Sequence, residues 1–186
     1  MARLSTAARR AQLLSAGREV FSATPYDRVS IDDLAAAAGV SKGLLYHYFP
    51  DKRSFYVEVL RVVALDVLQV SEMSEEGSAA ESIATAVDGF LTYVRENQAF
   101  YKALVRGSSA ADDGLEEVVE TVRWTTVARV IERTQLQATP RSEALLYGWV
   151  GLIEFTVMNW LVREDMEQES LKGLILGALF QLLATP

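Results

Sequence analysis

Residues 30–52 read SIDDLAAAAGVSKGLLYHYFPDK. Ser30 is a good helix N-cap: its hydroxyl can accept from an otherwise unpaired amide, and Asp33, three residues on, can return a bond to its backbone. Ile31, Leu34, Ala35 and Ala38 then share one helical face. Gly39 suits the left-handed position that ends a helix, because it has no Cβ. Ser41 restarts the chain as a second N-cap, and the short helix behind it carries Lys42, Gly43, Leu44, Tyr46, His47 and Tyr48. Two short helices joined by a glycine turn, the second crowded with basic and aromatic hydrogen-bonding groups, form a helix-turn-helix able to enter a DNA major groove.

Individual residues fit that use. The amides at Ser41, Lys42 and Gly43 point at the helix N-terminus and attract an anion. Lys42 can reach a phosphate or a guanine edge, and Leu44 a thymine methyl. Gly43 lets the backbone come close. Leu45 and Phe49 are expected inside, holding the helix to its domain.

The segment Thr24–Phe55, above all AGVSKGLLYHYFPDK at 38–52, resembles the DNA-binding domain of the TetR family of transcriptional regulators. The resemblance covers about the first third of the chain. It implies an all-α fold of about nine helices: a three-helix DNA-binding domain over residues 1–50, a connecting helix over 51–70, and a helical effector-binding and dimerisation domain over 71–186. It also implies DNA contact by Lys42, Gly43, Tyr46, His47, Tyr48 and Lys52, with Ser30 contributing from the preceding helix. Two departures stand out. Pro25-Tyr26 occupies a place where glycine followed by an aromatic is common, and Asp32 stands where some members carry a base-reading cation.

The charge is divided. The chain of 186 residues has net charge −7, but residues 1–61 hold nine Lys/Arg and six Asp/Glu, while residues 62–186 hold nine and nineteen. A basic first part suits phosphate, and an acidic remainder repels it. Arg3, Arg9 and Arg10 form a candidate basic arm for neighbouring phosphates or the minor groove. There is no cysteine and one histidine. Thiolate catalysis, cysteine zinc sites, disulfides and a multi-histidine metal site are therefore ruled out. No nucleophile and base can be paired, so the expectation is a non-enzyme without cofactor or metal. Residues 1–15 lack a continuous apolar core, which points to a cytoplasmic protein.

Past the motif the texture remains helical, with four prolines in the whole chain. The periodicity predicts helix 1 from Ser5 or Thr6 to Ala23, helix 4 to Val70, and a linker at 71–80. Further helices follow over Ile83–Val94, Ala99–Val105 and Leu115–Gln137, with a flexible loop at 107–114. Thr139-Pro140 marks another helix start. From Ala144 to Val162 the only charge is Glu154. This run meets the length of a membrane span of about 18 apolar residues. A mid-span carboxylate and two glycines instead favour a helix buried on all sides in a dimer. The last helix, Ser170–Leu183, is also apolar nearly all round. Gly151, Gly173, Gly177 and Phe180 are the expected dimer contacts.

Aromatic residues crowd the second part. Tyr93, Phe100, Trp124, Tyr147 and Phe155, with Arg123, Glu154 and Asn159 as polar partners, form the expected wall of a pocket for a small hydrophobic effector. A buried Glu154 needs a partner: the ligand, Arg123 or a second subunit. Two readings follow. One is a ligand-responsive regulator, taken as a repressor, binding palindromic double-stranded operator DNA as a homodimer. The other is a sequence-specific DNA-binding protein without a small-molecule effector.

Overall fold

The computed structural model describes residues 4–107, 113–163 and 165–184. Arg3 and residues 108–112 of the expected loop lie outside them. Among the described residues the chain forms nine α-helices: α1 (Thr6–Ala23), α2 (Ile31–Ala37), α3 (Lys42–Tyr48), α4 (Lys52–Val70), α5 (Ala79–Glu96), α6 (Gln98–Gly107), α7 (Asp113–Thr134), α8 (Pro140–Arg163) and α9 (Gln168–Ala184). A 3₁₀ turn at Tyr26–Arg28 follows Pro25 and links α1 to α2. The chain divides into two compact units, one up to Val63 and one from Ala64 on. The division falls inside α4.

In the first unit, local signals set the helix ends. Ser30 and Asp33 form the reciprocal capping box of α2: the Asp33 amide donates to Ser30 Oγ at 3.1 Å, and the Ser30 amide donates to Asp33 Oδ2 at 2.8 Å. The hydroxyl and amide of Ser30 hold the Asp33 carboxyl below its ordinary range. Gly39 sits at φ +64°, and the Val40 amide returns to the Ala35 carbonyl at 3.0 Å, closing α2 with a left-handed cap. Ser41 caps α3 through the Leu44 amide, and Asp51 caps α4 through the Ser54 amide. Leu13, Leu34, Leu45, Phe49, Phe55 and Val59 are buried together as the core. Gly17 admits α4 against α1, since a Cβ there would lie 2.4 Å from the Phe55 ring.

The second unit is built around α8. Leu146, Trp149, Ile153, Val157, Trp160 and Leu161 face inward, against Val87, Leu91 and Val94 of α5, Val127 and Val130 of α7, and Leu171, Ile175 and Leu179 of α9. Trp149 Nε1 donates to the Ile175 carbonyl at 2.9 Å, so the indole is buried with its donor satisfied. α8 has the length and composition of a membrane span, yet 39% of its apolar window is buried inside the chain.

Two expected boundaries shift. α7 ends at Thr134 rather than Gln137, because Gln135 adopts φ +55° and the Leu136 amide bonds the Ile131 carbonyl. That left-handed cap on a glutamine has no glycine to announce it. The expected linker is shorter and tied down. Arg129 donates to the Leu68 carbonyl at 2.6 Å, and Arg133 donates to the carbonyls of Ser74 and Gly77 at 2.8 and 2.6 Å.

The end of α4 lies hard against α5 at Gly89, where a Cβ would stand 2.5 Å from the Val70 carbonyl oxygen. In an exposed helix interior, Gly→Ala stabilises by up to about 1 kcal/mol. Here the neighbour is backbone and cannot rotate away. Gly89→Ala should therefore destabilise the second unit by about 1–3 kcal/mol, read as a fall in Tm. An unchanged or raised Tm would mean that the α4–α5 approach is looser than described.

Candidate functional site

Two features of the molecule are built to bind something. The first is the exposed side of α3. Lys42, Gly43, Tyr46 and His47 are exposed, Leu44 and Tyr48 are half-buried, and Leu45 and Phe49 are inside, as their spacing requires. A Cβ at Gly43 would meet nothing within 4 Å, so this backbone is open to an approaching surface. The His47 and Tyr48 rings meet edge to face at 5.4 Å.

The cations near α3 are already engaged. Lys42 Nζ donates to Asp32 Oδ2 at 2.9 Å, which raises the lysine pKa. Asp32 thus steers Lys42, a role not read from the sequence, where it figures only as a departure from the family pattern. Lys52 Nζ donates to the carbonyls of Tyr26 and Val29, both at 3.0 Å, and lies 4.1 Å from the Tyr26 ring centroid. It ties α4 to the turn that Pro25 sets. Ser30 is exposed, but its hydroxyl and amide are engaged by Asp33. Arg10 pairs with Glu58 and lies 5.4 Å from the Phe49 ring centroid, and Arg9 bonds Gln12.

The second feature is a half-open cavity of about 80 Å³ in the second unit. Its wall is apolar, from Val67 of α4, Val87 and Phe90 of α5, Val119 of α7, and Trp149 and Ile153 of α8. Ser71, Tyr101, Thr126 and Glu154 are the lining residues with polar side-chain groups. Glu154 takes Arg123 in a fork, Nε to Oε1 at 2.8 Å and Nη2 to Oε2 at 2.7 Å. Arg123 Nη1 also donates to Glu120 Oε1, which accepts from the Tyr147 hydroxyl at 2.8 Å. The partner Glu154 needs is Arg123. Tyr101 is 4% exposed, and its hydroxyl, shut off from solvent, has no hydrogen-bond partner among the described residues.

The residues expected around a pocket fall in several places. Of Tyr93, Phe100, Arg123, Trp124, Tyr147, Glu154, Phe155 and Asn159, only Glu154 lines the cavity. Tyr93 turns its hydroxyl to Asp66, and Phe100 is buried elsewhere. Arg123 and Tyr147 stand behind Glu154, with Trp124 beside Tyr147 at 5.2 Å. Phe155 is 80% exposed, and Asn159 is exposed. The cause is helical phase. α8 is apolar on every side, so its sequence does not tell which aromatic faces in. Nothing in the sequence sets Tyr101 apart from the other aromatic residues of this unit.

The outer side of α8 and α9 is apolar as well. Phe155 and Val162 are exposed on α8, and Gly173, Leu174, Gly177 and Phe180 on α9. Phe155, Asn159 and Leu174 line one surface cleft, so the two stripes adjoin. Gly151 is half-buried, and added Cβ atoms at Gly151, Gly173 and Gly177 would each find open space. Among the described residues no group of three or more His, Asp or Glu gathers to hold a metal ion.

A capped helix-turn-helix followed by a larger all-helical unit defines a DNA-binding transcriptional regulator. The comparisons agree. The family model described as bacterial regulatory proteins of the tetR family matches residues 13–59, and that of the tetracycline repressor-like C-terminal domain matches residues 79–182. The chain belongs to the TetR family. It is 26% identical over 164 residues to the HTH-type transcriptional repressor KstR2 of Rhodococcus jostii, covering 87% of this chain and 71% of that protein. It is 25% identical over 166 residues to the HTH-type transcriptional activator FasR of Mycolicibacterium smegmatis, covering 86% and 75%. A crystal structure of a TetR-family regulator from Streptomyces coelicolor superposes with TM-score 0.88 at 27% identity, covering 97% of this chain and 82% of that one.

Proposed function

We propose that this chain is a ligand-responsive repressor that works in the cytoplasm and binds a palindromic operator as a homodimer. The observation that carries the ligand half of this reading is the half-open, mostly apolar cavity of the second unit. A regulator without an effector would have no use for that void, and its core would close over it. By name KstR2 is a repressor and FasR an activator, so the sign chosen here is the reading's own and follows KstR2.

DNA contact falls to the exposed side of α3: Lys42, Gly43, Tyr46 and His47, with Leu44 and Tyr48 beside them and the amides behind Ser41 facing a phosphate. Lys52 and Ser30 act through the fold, setting the turn and the cap that position α3. The Lys42–Asp32 pair is exposed, so its net contribution is small. A phosphate can displace Asp32 from Lys42 at little cost. Switching follows from linkage. α4 carries Phe55 in the first core and Val67 in the cavity wall. A ligand that prefers one position of Val67 therefore biases the helix leading to the DNA-binding unit. DNA must weaken such a ligand by the same factor.

Binding of the DNA upstream of the gene, measured by fluorescence anisotropy across a salt series, tests the DNA half. Affinity should fall steeply with salt, and Lys42→Ala should lower the slope by about one. Gly43→Ala should leave Tm unchanged or raised, since its methyl meets open space, yet cost at least about tenfold in affinity, roughly 1.4 kcal/mol. Wild-type affinity in both variants would remove α3 from the interface.

The homodimer reading rests on the apolar stripes of α8 and α9. An exposed apolar face of this kind calls for a partner, and a two-fold partner presents the same face in return. Gly177→Leu should leave helix content intact, because nothing in the protomer lies within 4 Å of its Cβ. It should push sedimentation toward monomer by overpacking the contact at about 1–3 kcal/mol. An unchanged tight dimer would move the interface elsewhere.

A further inference from the structure

A carboxylate beside a helix that reads DNA is repelled by the phosphates, and costs affinity unless it finds a donor. Asp33 is occupied in closing the N-terminus of α2, and Asp51 in closing that of α4. Asp32 closes neither. It is exposed in the first turn of α2, and its Oδ2 accepts from Lys42 Nζ at 2.9 Å. Lys42 is the first residue of α3, at the end where a recognition helix meets base edges. The Asp32 carboxylate therefore stands within hydrogen-bond distance of a side chain placed at the groove, although it belongs to the preceding helix.

With Lys42 drawn to a phosphate, that carboxylate is left facing the bases. An ionised carboxylate only accepts hydrogen bonds. In the major groove the donors are the amino groups of adenine N6 and cytosine N4, while guanine N7 and O6, adenine N7 and thymine O4 are acceptors. Over guanine or thymine the carboxylate meets acceptors and stays unpaired, which is unfavourable. Over adenine one oxygen can take N6, but the other faces the N7 acceptor beside it. Cytosine offers N4 with no acceptor on its own major-groove edge. An acceptor-only side chain at this place thus singles out one base of the four.

We propose that Asp32 is a specificity-determining residue, its carboxylate accepting from the N4 amino group of one cytosine in each half-site of the operator. This rests on the DNA-binding reading of α3 given above. Lys42 holds the carboxylate in place until DNA arrives. The other bases are then rejected by repulsion, so a single exposed side chain discriminates without adding much affinity.

The test is selection from a randomised duplex library by the full chain, as wild type, Asp32→Ala and Asp32→Asn. Wild type should enrich a palindrome with cytosine fixed at one position of each half-site. Asp32→Ala should enrich the same palindrome with that position alone released. Asp32→Asn should move it toward adenine, because an amide can both accept from N6 and donate to N7. The selected cytosine is then replaced by 2-pyrimidinone, which lacks the N4 amino group. Wild-type affinity should fall at least about fivefold, and Asp32→Ala affinity should fall less than twofold. An equal loss in both proteins would overturn the assignment. So would an unchanged preference in both variants, or a uniform change of affinity over all sequences, which would make Asp32 a structural residue. The two readings fail differently. If wild type enriches no palindrome, the DNA-binding reading fails and takes this one with it. If wild type and both variants enrich the same site, with every position equally constrained, the DNA-binding reading stands and only the role of Asp32 falls.

Discussion

A 24-residue helix with no polar face must be covered around its whole circumference, and α8 imposes that condition on everything from Ala64 onward. One arc is covered by α6 and α7 and another by α9, with Trp149 bonded to the Ile175 carbonyl to fix the α8–α9 contact. Fully burying side chains of this size contributes about 1.5–3 kcal/mol each, which is why three helices gather on one. Two places on α8 escape that cover. One is the wall of the cavity at Ile153 and Glu154; the other is the outward stripe through Phe155 and Val162. The proposed effector and the proposed second protomer occupy these two places. The Glu154 carboxylate within such a helix then dictates Arg123, and Arg123 in turn draws in Glu120 and Tyr147.

The first unit follows from a different economy, in which short-range hydrogen bonds do most of the specifying. α2 and α3 have seven residues each, too short to be stable alone. They persist because Ser30, Asp33, Gly39 and Ser41 close their ends, and because Leu34, Leu45 and Phe49 are buried. Lys52 contributes by bridging two turn carbonyls from the start of α4. The cost of an altered turn at Pro25-Tyr26 is thus met by a cation that the family pattern assigns to DNA. Lys42 is held by Asp32 in an exposed pair, so its orientation is prepared without a strong bond to break.

Local chemistry was legible in the sequence, and long-range phase was not. Ser30, Gly39, Ser41, Asp51 and Pro140 predict their helix ends because a cap acts over three or four residues. Leu45 and Phe49 predict the buried side of α3 because polar residues surround them. The end of α7 was missed because a glutamine, not a glycine, takes the left-handed position. On α8 the apolar pattern has no direction, so Phe155 was placed inward although it is 80% exposed. The pairing of Asp32 with Lys42 joins residues ten apart across a turn. Arg123 and Glu154 are 31 residues apart. Tyr101 gave no sign at all: only its surroundings make an ordinary tyrosine into an unpartnered donor.

The small cavity also bears on how a switch could work. Turning a two-state equilibrium from about 1:99 to 99:1 takes roughly 5.5 kcal/mol of preference for one state. A ligand of about six heavy atoms is bounded near about 1.5 kcal/mol per atom, or roughly 9 kcal/mol in all. More than half of its best attainable binding energy would have to distinguish the two states. Such a ligand must bind the DNA-competent state weakly, so its discriminating contacts have to lie where the two states differ. Val67 belongs to the helix that leaves the DNA-binding unit and also lines the cavity. Apolar contact at Val67 is graded and small per atom. Discrimination therefore has to be summed over the several wall residues that move with α4, of which Val67 is one.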